Sequence, residues 1–194
     1  MDINIAKFAA VAICFIMAVC NKKNVINRRD NKFLVAGLGC TLVADFFLII
    51  IFNYPIGLIF FCIVQVLYVM RFGGIKTLFW MPFTAVLPIA YFVATDDILL
   101  ALAMAYAQLF LGAYICMLHS IRKKAYPTTN ACLVFAGMTL FMLCDISVAI
   151  WNLGRMGAIT NTNITSLAYA AIWLFYAPSQ VCLAFSARKF AKRS

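Results

Sequence analysis

The 194 residues are 66% hydrophobic, with a mean hydropathy of +0.99, far above the roughly half-apolar make-up of a soluble domain. That excludes a soluble enzyme and predicts an all-α, polytopic transmembrane bundle forming one domain over 1–194. The net charge of +10 lies in short loops and the tail, where it orients a chain against a membrane rather than gripping nucleic acid.

Seven apolar stretches follow one another, at about 3–20, 33–52, 55–71, 77–95, 98–119, 131–152 and 163–187. Each approaches the roughly 20 residues needed to span a bilayer. The first lacks a basic leader and a small-x-small cleavage site, so it reads as a retained helix. Pro55 suits a first helical turn, and Thr129 or Asn130 suits an N-cap. With the N-terminus outside and the C-terminus inside, fourteen of the 16 basic residues fall on the inner face, as the positive-inside rule requires. Lys7 and Arg155 alone remain outside.

Two aspartates sit deep in apolar stretches, Asp45 in the second and Asp145 in the sixth. An ionisable group there is expensive, which makes it a functional candidate by default. Each follows an Ala-Gly pair, Ala36-Gly37 and Ala136-Gly137, with the glycine eight positions before the acid. Helices 1–3 and 5–7 would then form parallel repeats around a lone helix 4, a 3+1+3 plan. Both carboxyls would lie roughly 10 Å below the outer ends of their helices.

Other polar residues share these depths. Gln65 and Tyr68 are spaced i,i+3 on the third helix, Tyr106 and Gln108 lie on the fifth, and Tyr176 and Gln180 lie on the seventh beside Trp173. Pro178 should kink that last helix and release a carbonyl. Each glutamine alone reads as interhelical glue. The set, converging with two acids, reads as a polar substrate site.

What is missing narrows the chemistry. The eight cysteines contain no C-x-x-C and lie in apolar stretches, so they read as packing residues. The single histidine, His119, lies beside Arg122 at the inner end, and cannot assemble a zinc centre with scattered cysteines. There is no G-x-S-x-G nucleophile motif. The last helix has no lysine for a retinal Schiff base. Carboxylate acid–base work without metal or cofactor remains.

The motifs around the acids resemble the YhhN family, the lysoplasmalogenases. The family's small-residue helix ending in Gly-Asp corresponds to Gly37-Leu38 through Ala44-Asp45. Its Gly-x-x-x-Phe-x-x-x-His-x-x-Tyr helix corresponds to Gly57, Phe61, Gln65 and Tyr68, with glutamine in place of histidine. Its Gly-x-x-x-Phe-x-x-Ser-Asp corresponds to Gly137, Phe141, Cys144 and Asp145. Its Trp-x-x-Tyr-x-x-x-Gln corresponds to Trp173, Tyr176 and Gln180. Together these cover most of 33–187.

The resemblance implies hydrolysis of the vinyl-ether bond of a lysoplasmalogen, a lysophospholipid, with Asp45 and Asp145 as the joint acid–base pair. The competing reading from the residues is a transporter or lipid-binding bundle that uses the same acids for proton coupling. An intramembrane aspartyl protease would need Tyr-Asp and Gly-x-Gly-Asp, and Cys144-Asp145 and Val43-Ala44-Asp45 match neither.

Overall fold

A computed structural model describes residues 3–190. Its seven α-helices are α1 Ile3–Cys20, α2 Arg28–Asp45, α3 Tyr54–Gly73, α4 Met81–Thr95, α5 Ile98–Arg122, α6 Thr128–Arg155 and α7 Thr162–Phe185. Short 3-10 turns cover Asn21–Lys23 and Ile75–Trp80. Among the described residues six segments are long and apolar enough to cross a membrane: 28–51, 54–73, 75–95, 98–122, 128–155 and 162–185. The first stretch expected from hydropathy, α1, is not one of the six.

The helices form a ring. α1 packs on α2, α2 on α3, α3 on α5, α5 on α6, α6 on α7, and α7 returns to α1. α4 stands outside, against α5, and keeps almost its whole length exposed. The ring is uneven. The α6–α7 joint is the closest, whereas α5 and α6 meet mainly through long side chains, among them Tyr114 with Thr139 at 3.0 Å.

Helix ends differ from the hydropathy reading where side chains override it. α2 begins five residues early because Asn27 Oδ1 accepts from the Arg29 amide at 2.8 Å, a standard N-cap. α3 is capped by Asn53 and carries Pro55 in its first turn, as expected. α6 begins at Thr128, capped by neither Thr129 nor Asn130. Asn130 is buried instead and donates to the carbonyls of Ser186 and Arg188, both at 2.8 Å. Those two acceptors lie at the chain's far end, so local sequence could not show the side chain's better bond.

The glycines before the aspartates are contact points between helices. A Cβ on Gly37 would lie 3.1 Å from Tyr68 Cε1 on α3. A Cβ on Gly137 would lie 2.8 Å from Leu183 Cγ and 3.2 Å from the Leu183 amide nitrogen on α7. Backbone cannot retreat as a flexible side chain can. Gly137→Ala is therefore expected to destabilise the protein by about 1–3 kcal/mol through overpacking. Gly112, with nothing nearer than Val69 at 4.0 Å, should accept alanine and gain up to about 1 kcal/mol of helix propensity. Paired melting curves in detergent check both, and equal behaviour of the two variants would contradict the packing argument.

Candidate active site

The α-helical part of α2 ends at Asp45, and a π-helical turn, Phe46–Ile51, follows at once. Phe52 then takes a left-handed conformation at φ 59° and the chain turns into α3. Gly57 makes this tight reversal feasible, since a Cβ there would lie 2.5 Å from Leu48 Cγ and 3.3 Å from the Ala44 carbonyl. π-turns interrupt helices mostly at functional positions. Asp145, by contrast, lies within continuous α-helix. The two acids share a sequence setting but not a local backbone.

Each acid meets a tyrosine from another helix. Asp45, almost fully buried, accepts a short hydrogen bond from the Tyr176 hydroxyl of α7. Asp145, half-buried on α6, accepts from the Tyr106 hydroxyl of α5 at 2.5 Å. Gln65 Nε2 of α3 donates to that same Tyr106 oxygen at 3.3 Å. Tyr176 lies within electrostatic reach of both Asp45 and Asp145. An aromatic cluster fills the space between: Phe141 packs against Tyr176, Phe61 and Phe110, and both Phe61 and Phe110 pack against Tyr106.

Three sequence-predicted positions thus join the acids in two hydrogen-bonded sets, Asp45 with Tyr176 and Asp145 with Tyr106 and Gln65. Two more are fully buried nearby on the same helices. Tyr68 follows Gln65 by one turn and its hydroxyl has no hydrogen-bond partner; Gln180 follows Tyr176 by one turn and its Oε1 has none. Gln65 Oε1 is also unpartnered. Buried polar atoms are nearly always paired, so these atoms can take a polar occupant; the Tyr68 hydroxyl lies beside Gly37, about 12 Å along α2 from Asp45. Gln108 stands apart. Two residues along a helix is a rotation of about 200°, which turns it away from the Tyr106 face. Pro178 is carried inside an α7 that stays helical to Phe185, and Ser179 Oγ donates to the Tyr176 carbonyl at 2.6 Å. Among the described residues no group of three metal-ligating side chains occurs.

A model of the YhhN family matches residues 4–187, nearly the whole chain. The chain belongs to the YhhN family. Comparison with curated proteins and with solved structures gives no match. Within this YhhN chain, the Gly-x-x-x-Phe segment of α3 supplies Gly57 against the π-turn and Phe61 against Tyr106. The Trp-x-x-Tyr-x-x-x-Gln segment of α7 supplies the Asp45 partner.

One buried group of this YhhN chain escaped the sequence reading, which placed Arg71 among the solvated inner charges. Arg71 is buried at the opposite end of the bundle from the acids. Its Nε and Nη2 donate to the two oxygens of Asp30, each at 2.9 Å, and Nη2 also donates to Ser186 Oγ at 2.8 Å. The Tyr126 hydroxyl completes the Asp30 shell. Burial pushes the Tyr126 phenol well above its ordinary value, so it stays a donor. The available signal was slight: Asp30 is the lone acid among five basic residues over 22–32.

Proposed function

We propose that this YhhN chain is a lysoplasmalogenase-like hydrolase that cleaves a vinyl ether with its two intramembrane aspartates. The observation that carries the reading is that each acid is held by a tyrosine from a different helix. Such bonds fix carboxyl orientation, and orientation is what proton transfer to carbon demands.

In the proposed cycle one protonated carboxyl delivers its proton to the alkenyl carbon distal to oxygen. The resulting oxocarbenium ion is stabilised by the other carboxylate, which then takes a proton from the attacking water. As the hemiacetal collapses, the second carboxyl gives its new proton to the departing glycerol oxygen and the first takes the hemiacetal hydroxyl proton, so the carbon–oxygen bond to glycerol breaks and a fatty aldehyde and a glycerophospho-base leave. Water is consumed and both carboxyls return to their starting state. Interacting acids share protons as a unit, so acid and base are assigned jointly to Asp45 and Asp145. The sparsely packed seam between α5 and α6, where Tyr106 and Asp145 meet, gives a single-chain amphiphile a lateral way in. Gln65, Tyr68, Tyr176 and Gln180 are proposed to hold its polar part.

The deciding experiment gives purified protein a lysoplasmalogen in detergent, with no ion gradient. Aldehyde release above a heat-treated control is expected. Release only in sealed vesicles under a proton gradient, or none at all alongside gradient-driven uptake, would instead favour a carrier.

A further inference from the structure

Two adjoining cavities open at the basic end of the bundle, one of about 160 Å³ and one of about 500 Å³. The smaller has polar and apolar walls in about equal share, and its charged walls are Arg29, Asp30 and Arg71 beside Tyr126. The larger is mostly apolar, running along Phe72, Ile115 and Cys116, with His119 and Lys123 at its side. Phe72, Ser120 and Ala125 line both.

The electrostatic balance of the small cavity is unequal. Both oxygens of Asp30 are already taken, by Arg71 and Tyr126. Arg71 itself is not exhausted: its side chain is 0% exposed, yet Nη1 has no partner. A buried guanidinium nitrogen without an acceptor is an unmet demand for an oxygen. Arg29 and Lys123, both exposed, add positive charge at the rim.

We propose that this pair of cavities is a phosphate-binding site, with the phosphate in the small cup against Arg71 Nη1, Arg29 and the Ser120 hydroxyl. The large apolar cavity fits an acyl chain, so the shared chemistry admits a phospholipid headgroup or free phosphate. Basic pockets between transmembrane helices commonly take lipid phosphates. The site is separate from the acids. Asp30 and Asp45 lie on one continuous α-helix, α2, about 22 Å apart along its axis. A glycerol backbone spans only a few bonds, so one lysolipid cannot place its vinyl ether at Asp45 and its phosphate here.

The test titrates purified full-length protein with dihexanoyl phosphatidic acid, dihexanoyl glycerol and inorganic phosphate, by calorimetry at low salt. The phosphatidic acid is expected to bind, and the phosphate-free diacylglycerol is not. Arg29→Gln with Lys123→Gln, both exposed positions that leave the Asp30–Arg71 pair intact, should weaken binding by roughly 30-fold. Lys22→Gln with Lys23→Gln, which lie outside both cavities, should not. Inorganic phosphate binding as tightly as the lipid would assign the cup to free phosphate. Much tighter lipid binding would assign it to a headgroup, and either supports the site. The proposal fails if the diacylglycerol binds equally well, if neither phosphate compound binds, or if the Lys22/Lys23 variant loses as much as the Arg29/Lys123 variant.

Discussion

Asp45→Asn and Asp145→Asn are each expected to lower aldehyde release by about 10²- to 10⁴-fold, the range of a general acid or base. Asparagine keeps the carbonyl oxygen that Tyr176 or Tyr106 donates to, so folding should largely survive. It cannot give a proton to carbon. The double variant should be little worse than either single one, because groups acting in one step are strongly non-additive. Tyr176→Phe should fall between, since it removes that hydrogen bond and keeps the acid. The competing explanation is that the acids only tie helices together, a bond worth about 0.6–2 kcal/mol in a membrane. Then the asparagine variants would melt early while activity per folded molecule stayed normal. Specific activity and melting temperature from the same preparation separate the two, and unstable variants of full specific activity would sink the mechanism.

The other large effect is on stability. Arg71→Met leaves Asp30 as an uncompensated charge with a side chain only 9% exposed. Breaking one half of a buried pair costs about 3–5 kcal/mol, a fall in melting temperature on the order of 10 °C. Asp30→Leu alone should be as harmful, because a 0%-exposed guanidinium then loses its counter-ion. The double variant, Asp30→Leu with Arg71→Met, should recover most of the loss, since apolar replacement of a whole buried pair is often neutral or better. A strictly additive cycle would mean that the pair is effectively solvated.

Much of the fold was legible because its signal is local. Runs of apolar residues and their polar breaks set the helices, and Asn53-Tyr54-Pro55 marked a start that the structure keeps. The acids stood out because charge amid apolar sequence is costly wherever the chain goes. The π-turn after Asp45 was not legible, since Phe46–Ile51 reads as ordinary apolar helix and only packing against Gly57 and the reversal at Phe52 reveals it. Asp30 and Arg71 are 41 residues apart, and each looks like a solvated loop charge until the fold joins them. Gln65 was found as a polar residue at the right depth, but its bond to the Tyr106 oxygen needed the α3–α5 contact.

The loop after α1 is stitched to the segment that follows α7. Val25 pairs with Arg188 across an antiparallel bridge, the Ile26 amide donates to the Ala187 carbonyl at 3.0 Å, and the Lys189 amide donates to the Asn24 carbonyl at 3.0 Å. Synthesis runs from the first residue to the last, so the helices enter the bilayer as an open arc that only α7 can seal. Until then Arg71 lacks Ser186, and Asn130 lacks both of its carbonyls. A ribosome stalled before α7 would therefore hold a half-built molecule with its most costly charge under-solvated. Residues 186–189 act as the latch that ends this state.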